Sequence, residues 1–262
     1  MVNTTADELR DVAVEISAWD LDGASPYYRV TEKIAVPPKK VQQVTEMSYP
    51  KTKNPKPVYF LLLKLFKLSD NQVLSRNFYW LHLPGKDYKL LEQYRQKQIP
   101  LKINSKISIS GSGYKVRMSI ENRSKKPENA NVSTMNLADA NDSDRTGEEA
   151  IQDGHSSGLW GKIRRGLSIT RSDDNVRTVE VKGADSGVSF FLQFSVHTSE
   201  PSSSQDVAKD TRILPVHYSD NYFSLVPGEK MAIDISFEAP QGSTPRVILK
   251  GWNYHLDHAV TL

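Results

Sequence analysis

Apolar residues at every second position recur through most of this 262-residue sequence and predict an all-β fold. The period of two is clearest in Val12–Ile16, Phe190–Val196 and Met231–Phe237. Turn-forming pairs such as Asp22-Gly23 and Pro227-Gly228 separate such segments. About a dozen short strands at this spacing predict two immunoglobulin-like β-sandwiches.

The other strands follow the same pattern in chain order. They are predicted at Val30–Val36, Val41–Met47, Val58–Leu68, Val73–Leu83, Ile103–Ile109, Tyr114–Glu121, Arg177–Val181, Tyr222–Val226 and Arg246–Lys250. Only Asp87–Gln98 has helical spacing, and Pro100 follows it. We therefore predict one sandwich over residues 1–86, a helical connector over residues 87–99, and a second sandwich over residues 100–262.

One long segment breaks this pattern. Periodicity fails at about residues 124–176, and Glu128–Asp153 carries seven acidic residues against the single base Arg145. Such a segment buries too little apolar surface to offset its ordering entropy, so we predict a disordered insertion in the second sandwich. Within it, Leu159–Leu167 is basic and amphipathic. This island either docks on a membrane or partner or, as we favour, anchors the loop on its own domain through Trp160.

The first sandwich is predicted to be incomplete. It offers about five strands before residue 85, whereas an immunoglobulin-like sandwich has about seven. The sequence also opens with Val2-Asn3-Thr4-Thr5, a stretch typical of a strand end and turn. We expect the first strand or two to be missing, which would leave an exposed sheet edge that pairs with another strand.

Composition excludes several classes of protein. The chain has 34 Lys and Arg against 31 Asp and Glu and contains no Cys, which rules out disulfides, thiol nucleophiles and Cys-ligated metals. The longest apolar run, Val58–Leu63, is far shorter than the ~20 residues of a membrane span. The first residues do not resemble a signal peptide. We expect no membrane partner, and the compartment stays open between cytoplasm and vacuole.

Motifs for catalysis and metal binding are missing from the sequence. There is no nucleophile elbow, phosphate-binding loop or His-Glu-x-x-His motif. The pair His255 and His258 has no evident third ligand, and we favour a frayed polar terminus there over a metal site. The acidic residues lie mostly on solvent faces of strands or in the insertion, where paired catalytic carboxylates are not expected. Asp220 is the exception, either as a turn residue, which we favour, or as a ligand contact. We predict no catalytic, metal-binding or cofactor-binding residue.

Two surface features leave alternatives open. Lys39–Lys106 contains fourteen basic and four acidic residues with aromatic residues between them, a composition that can bind single-stranded nucleic acid. Because Lys64 and Lys67 fall in the most apolar strand, we favour a solvated or protein-docking face and expect no nucleic-acid partner. Four Asn-x-Ser/Thr sequons would carry glycans if the chain is secreted; they begin at Asn3, Asn122, Asn131 and Asn141.

Three stretches together point to a family: Ser75–Leu81 (SRNFYWL), Ile213–Glu229 (ILPVHYSDNYFSLVPGE) and Gly251–Asn253 (GWN). In this order and spacing they resemble the C-terminal accessory sandwiches of glycoside hydrolase family 2, in the branch that holds exo-β-glucosaminidases and β-mannosidases. The resemblance covers nearly the whole chain and fades only between Ser124 and Asn175.

This resemblance implies a larger parent enzyme in which a sugar-binding-like sandwich, an immunoglobulin-like domain and a catalytic TIM barrel precede two further sandwiches. It implies retaining hydrolysis by two glutamates on the barrel and, for a β-mannosidase-like parent, cleavage of the Manβ1-4GlcNAc linkage in N-glycans. No residue here matches the catalytic motifs. We therefore predict a chain that is inactive alone.

The partners of such a chain follow from the same resemblance. They are the missing barrel and N-terminal domains of the same enzyme, in cis or as a separate chain, and a glycan is contacted through the parent only. The alternative is an independent β-sandwich module that binds glycans or proteins.

Overall fold

A computed structural model describes residues 1–25, 27–47, 55–125, 167–171, 176–181, 183, 185–199 and 210–261. Over these residues the chain is built almost entirely of antiparallel strands, so the all-β prediction is confirmed. Before residue 100 they form β1 (Leu9–Asp20), β2 (Tyr27–Val36), β3 (Val58–Lys67), β4 (Val73–His82) and helix α1 (Leu90–Tyr94).

The later strands belong to the second sandwich. They are β5 (Leu101–Ser110), β6 (Gly113–Asn122), β7 (Leu167–Arg171), β8 (Val176–Val181), β9 (Ser189–Ser199), β10 (Asp210–Arg212), β11 (Val216–Tyr218), β12 (Phe223–Leu225), β13 (Lys230–Glu238), β14 (Thr244–Gly251) and β15 (Tyr254–Thr261).

The first unit contributes one four-stranded sheet, which we call sheet A. Its strand order is β2-β1-β3-β4. Alternate residues of β3, including Phe60 and Leu62, are buried on the face that meets the second unit. A smaller cluster around Val12, Ile34 and Val36 lies on the opposite face of the sheet, where Met1 and Val44 pack against it. Among the described residues of the first unit, that face is covered in part by these side chains and has no second sheet packed on it.

The second unit is a sandwich of two sheets. Sheet B has the order β10-β9-β14-β15, with β12 also paired to β9, and sheet C has the order β11-β13-β6-β5-β8-β7. Inward side chains of both sheets form one core, with Ile103 and Ile233 from sheet C against Phe194 and Leu249 from sheet B. This arrangement follows from alternation, because every second residue of each strand points inward.

Sheet A packs against the second unit through a shared core. Trp19, Phe60 and Leu62 from sheet A cluster with Phe190 and with residues from α1 and the loop after β12. We call this region, where sheet A, α1 and the start of β9 meet, the junction. The two units therefore share buried apolar surface, which stabilises their relative position by roughly 25 cal/mol per Å² removed from water.

Three predicted elements differ from the structure. Val41–Met47 forms no strand. Val41 makes only an isolated bridge with Val2 and is 75% exposed, so this segment is not paired into a sheet. The helix spans only Leu90–Tyr94, because the following residues turn into contact with the second unit, where the Gln98 N–H donates to Asp185. The tail predicted to fray around His255 and His258 instead forms β15, paired with β14.

One part of the predicted insertion lies within the described residues. Strand β7 (Leu167–Arg171) lies inside it and pairs with β8 along its whole length. Alternating Leu167 and Ile169 give a short strand signal that the polar surroundings obscured. Residues 126–166 and 172–175, including most of the island Leu159–Leu167, lie outside the described residues.

Candidate functional site at the junction

The three sequence stretches that carry the family resemblance meet at the junction. An ion group joins the first two: the Arg76 guanidinium on β4 donates from Nε and Nη2 to the two carboxylate oxygens of Glu229, at 2.9 and 2.8 Å. The Lys64 ammonium on β3 lies 3.1 Å from the same carboxylate, whose side chain is 6% exposed. Arg76 also donates to the Ser224 carbonyl at 2.6 Å. The first unit thus supplies both cations and the second supplies the anion.

The charge on Glu229 is fixed by these partners. Burial by itself would raise the pKa of the Glu229 carboxyl, but the hydrogen bonds and charge of Arg76, together with the charge of Lys64, outweigh burial and hold that pKa below its ordinary value. The group therefore stays ionised near neutral pH. A glycosidase general acid needs the opposite, a carboxyl whose pKa is raised so that it carries a proton.

The third stretch fixes the start of β9. The Asn253 side chain accepts from the Phe190 N–H at 2.9 Å and donates to the Val188 carbonyl at 2.9 Å. Beside it, the Trp252 indole N–H donates to the Leu91 carbonyl of α1 at 2.8 Å. Gly251-Trp252-Asn253 thus ties the connector helix to sheet B.

Aromatic rings fill the space between the two units. Phe190 lies at the centre, with ring centroids 5.2 Å from Phe60 and 5.6 Å from Trp80 of sheet A. Trp80 also contacts Phe191 edge-on at 6.1 Å. Such tilted and edge-on pairs add about 0.5–1.5 kcal/mol each beyond the area they bury. Phe78 and Trp80 of the first stretch therefore serve the junction, and Trp80 remains 42% exposed.

A close backbone approach completes the junction at Gly187. This residue has φ +148°, and a Cβ built on it would lie 2.2 Å from the Tyr94 hydroxyl and 2.4 Å from the Leu21 carbonyl oxygen. The Tyr94 hydroxyl donates to the neighbouring Val188 carbonyl at 2.8 Å, and burial raises the pKa of Tyr94 well above its usual range. Only glycine lets α1 and the β1–β2 turn reach β9 this closely.

One pair of carboxyls has pKa values that diverge, as an acid–base pair would. Burial raises the pKa of Asp20, while a hydrogen bond from Lys97 lowers the pKa of its neighbour Asp22. The Asp20 Oδ1 atom, however, accepts both the Asp22 and Ala24 N–H groups at 2.9 Å, and Asp22 is bound by two lysines. The pair therefore shapes the β1–β2 turn, and three of its four carboxylate oxygens are bound by backbone N–H groups or by lysines.

Two of the four sequon asparagines are buried. Asn3 is 1% exposed, and its Nδ2 donates to the carbonyls of Asp7, Val36 and Pro37. Asn122 is fully buried, and its Nδ2 donates to the Gly187 and Leu225 carbonyls, both at 2.9 Å. The nitrogen that would carry a glycan is thus already engaged at both sites. Asn131 and Asn141 lie outside the described residues, and glycosylation there stays a prediction.

The remaining candidates have simple structural roles or stay open. Asp220 accepts the Asn221 N–H at 2.7 Å, which confirms the favoured prediction of a turn residue. In the basic region, Phe60 is buried, while Tyr79 and Trp80 lie on opposite faces of β4, so these aromatic residues do not form one surface. Across the described ranges, no three His, Asp or Glu side chains are grouped to hold a metal ion. No described helix is long and apolar enough to cross a membrane.

Comparison with known families now gives this architecture a class. Residues 1–84 match a family described as the mannosidase Ig/CBM-like domain. Residues 161–254 match the Ig-fold domain of exo-β-D-glucosaminidase. The resemblance predicted from the sequence is confirmed: the chain carries two immunoglobulin-type domains of the kind found in these glycosidases.

Among individual proteins, the chain is 52% identical to mannosylglycoprotein endo-β-mannosidase of Lilium longiflorum over 98% of its length. It spans only 26% of that relative. Exo-β-D-glucosaminidase of Streptomyces avermitilis is 36% identical over 37% of the chain, which corresponds to 11% of that enzyme. The solved structure of an exo-chitosanase of Amycolatopsis orientalis matches the whole of this chain with a TM-score of 0.60. The match involves 24% of that enzyme at 16% sequence identity, so it shows a similar fold.

The ion group is the part of this site that sequence reasoning missed. Arg76 and Glu229 are 153 residues apart, and no spacing rule connects them. Lys64 was the available signal, because a lysine within an apolar strand is seldom buried unless a carboxylate pairs with it.

Proposed function

We propose that this chain is a non-catalytic accessory part of a β-mannosidase-like enzyme of glycoside hydrolase family 2. Its two domains brace the catalytic barrel of the parent, which hydrolyses the Manβ1-4GlcNAc linkage of N-glycans with retention of configuration. The observation that carries the proposal is the 52% identity to the lily endo-β-mannosidase, extending over 98% of this chain but 26% of that enzyme.

The contacts made by the three stretches that resemble the family support an accessory role. Arg76, Glu229, Trp252 and Asn253 all come from the stretches that resemble the family. Arg76 and Glu229 join the two units, Trp252 joins the connector helix to the second unit, and Asn253 fixes the start of β9 beside them. The buried carboxylate at their centre has a lowered pKa and two cationic partners. A rigid two-domain unit is the form that a brace requires, because domains joined by a small interface move relative to one another.

The proposal also includes the division into residues 1–86, 87–99 and 100–262 and an incomplete first sandwich. Sheet A is a single sheet whose other face is covered only in part: Ile16 and Ala18 are buried there, Leu61 and Leu63 are half-buried, and Tyr79 is 46% exposed. An immunoglobulin-like domain packs a second sheet on such a face. We infer that other strands of the parent, in cis or on a separate chain, cover it.

A chimera tests the proposal. This chain replaces the aligned region of the lily enzyme, and hydrolysis of a glycopeptide containing Manβ1-4GlcNAc is measured together with the half-life of activity on heating. We expect kcat close to that of the lily enzyme. In a chimera carrying Glu229→Gln, we expect an unchanged initial kcat but a half-life shortened at least severalfold, because a brace acts on stability.

Two results would count against this role. A well-folded wild-type chimera without activity would show that this chain does not fit the enzyme. A Glu229→Gln chimera that stays folded but loses kcat at once would place this carboxylate in the chemistry.

A further inference from the structure

Three partly exposed aromatic side chains contact one another in turn beside the junction, and we call them the aromatic strip: Trp80, Phe191 and Tyr222. The ring centroids lie 6.1 Å apart between Trp80 and Phe191 and 5.6 Å apart between Phe191 and Tyr222. Trp80 is 42% exposed and Tyr222 is 56% exposed. The strip thus crosses from the first unit to the second and keeps ring surface open to solvent.

Two of these rings are held by strained backbone. Phe191 has φ +55° and Tyr222 has φ +60°, in the left-handed region that aromatic residues seldom adopt. Side chains fix both: Ser224 Oγ accepts the Phe191 N–H at 3.0 Å, and Asn221 Oδ1 accepts the Tyr222 N–H at 3.1 Å. Asn221 is itself bound to both backbone groups of Phe194.

This strain gains little burial in return. A left-handed non-glycine residue is strained and persists where the surrounding structure enforces it, often at functional sites. Tyr222 is 56% exposed, so burial of the residue does not compensate for its conformation.

Two further aromatic rings, His82 and Tyr88, lie close to Trp80 in the sequence. His82 lies two residues after Trp80 and on the same face of the strand, and its ring meets Tyr88 edge-on at 4.8 Å. The Tyr88 hydroxyl donates to the Trp80 carbonyl at 3.2 Å. The surface therefore carries aromatic side chains of both units, and because the planes of Trp80 and Phe191 stand 84° apart and those of Phe191 and Tyr222 stand 49° apart, each ring offers a separate contact.

We propose that the aromatic strip binds an oligosaccharide of β-linked pyranose units. A pyranose presents C–H groups on its faces and hydroxyls at its rim, which matches aromatic faces with hydrogen-bonding groups at their edges. The choice of a sugar as the ligand rests on the proposed function, in which the parent enzyme acts on glycans. It adds to that function a direct contact between the glycan and this chain.

The test uses the full chain and β-1,4-mannohexaose, with β-1,4-glucosamine hexamer as a second probe. Binding is followed by tryptophan fluorescence and by titration calorimetry. We expect saturable binding of at least one probe. Trp80→Ala should weaken it about tenfold. Tyr222→Gly should weaken it similarly while keeping the fold, because glycine adopts φ +60° without strain.

Tyr79→Ala is the matched control. Tyr79 neighbours Trp80 in β4, is 46% exposed and lies on the opposite face, so its loss should leave sugar binding unchanged. The proposal is overturned if neither probe binds, or if Tyr79→Ala weakens binding as much as Trp80→Ala. It is also overturned if Trp80→Ala and Tyr222→Gly leave binding unchanged and instead alter self-association in sedimentation, which would make the strip a protein contact. The chimera assay does not require sugar binding, so failure here leaves the accessory role standing.

Discussion

Replacing Glu229 by Gln is expected to destabilise the folded chain by about 3–5 kcal/mol, the usual cost of removing one partner from a buried ion pair. The carboxylate holds Arg76 and Lys64, whose side chains are only 15% and 22% exposed. The amide leaves Arg76 without its counter-charge and leaves Lys64 with only the more distant Glu15 carboxylate, at 4.0 Å. Urea denaturation followed by tryptophan fluorescence measures the loss as a lower midpoint at an unchanged slope.

An exposed ion pair of the same chemistry provides the control. Arg117 and Asp234 lie on the solvent face of sheet C with side chains 62% and 60% exposed, so Asp234→Asn should cost less than about 1 kcal/mol. Equal midpoints for the Glu229 and Asp234 variants would show that the buried group does not hold the units together.

The same carboxylate predicts a pH dependence. Its pKa is lower in the folded chain than in the unfolded chain, so its contribution is complete above the ordinary carboxyl pKa of about 4.3 and is lost as the pH falls through the folded value. The difference in stability between the wild type and Glu229→Gln should therefore shrink from pH 6 to pH 3. A difference that stays constant over this range would contradict the assigned charge state.

Gly187→Ala is expected to cost about 2–6 kcal/mol, the sum of backbone strain and overpacking of about 1–3 kcal/mol each. The added Cβ meets the Tyr94 hydroxyl and the Leu21 carbonyl, and neither atom is free to move, because Tyr94 is buried and bonded to the Val188 carbonyl. Thermal and urea unfolding measure the loss. Because α1 and the β1–β2 turn both rest on this residue, the junction should loosen before the second sandwich unfolds.

Two further variants separate the causes. Gly242 has φ +78° with no atom within 4 Å of an added Cβ, so Gly242→Ala reports strain alone and should cost about 1 kcal/mol. Tyr94→Phe in the Gly187→Ala background removes one of the two clashing atoms and should recover part of the loss. If Gly187→Ala is no worse than Gly242→Ala, the close approach at the junction is not as described.

The strands of this fold could be predicted largely from alternation, because one buried face imposes the period of two. Phe60 and Leu62 on β3 and the alternating residues of β9 show it directly. Val41–Met47 has the same alternation but pairs with the rest of the chain only through a single bridge. Alternation alone does not show whether a neighbouring strand is available for pairing. Strand β11 shows the reverse case. It pairs with β13, but its three residues are too few to show an alternating pattern in the sequence.

The candidate site could be predicted only as a set of motifs. The three stretches could be read from the sequence, but their meeting depends on contacts between residues more than 100 positions apart, such as Arg76 with Glu229. Asn122 illustrates the same limit: Asn-Arg-Ser has the form of a sequon, yet its amide is committed to the Gly187 and Leu225 carbonyls. Local sequence carries no record of these long-range partners.

The most direct test of the account is a hydrolysis assay on the chain alone. The chain is incubated with a glycopeptide containing Manβ1-4GlcNAc, products are followed by mass spectrometry, and the lily enzyme serves as the positive control. We predict no product at any concentration of the chain, because its buried carboxylate is an ionised partner of Arg76 and Lys64 rather than a proton donor. Product that rises in proportion to the concentration of the purified chain would contradict the account and place the catalytic residues within this sequence.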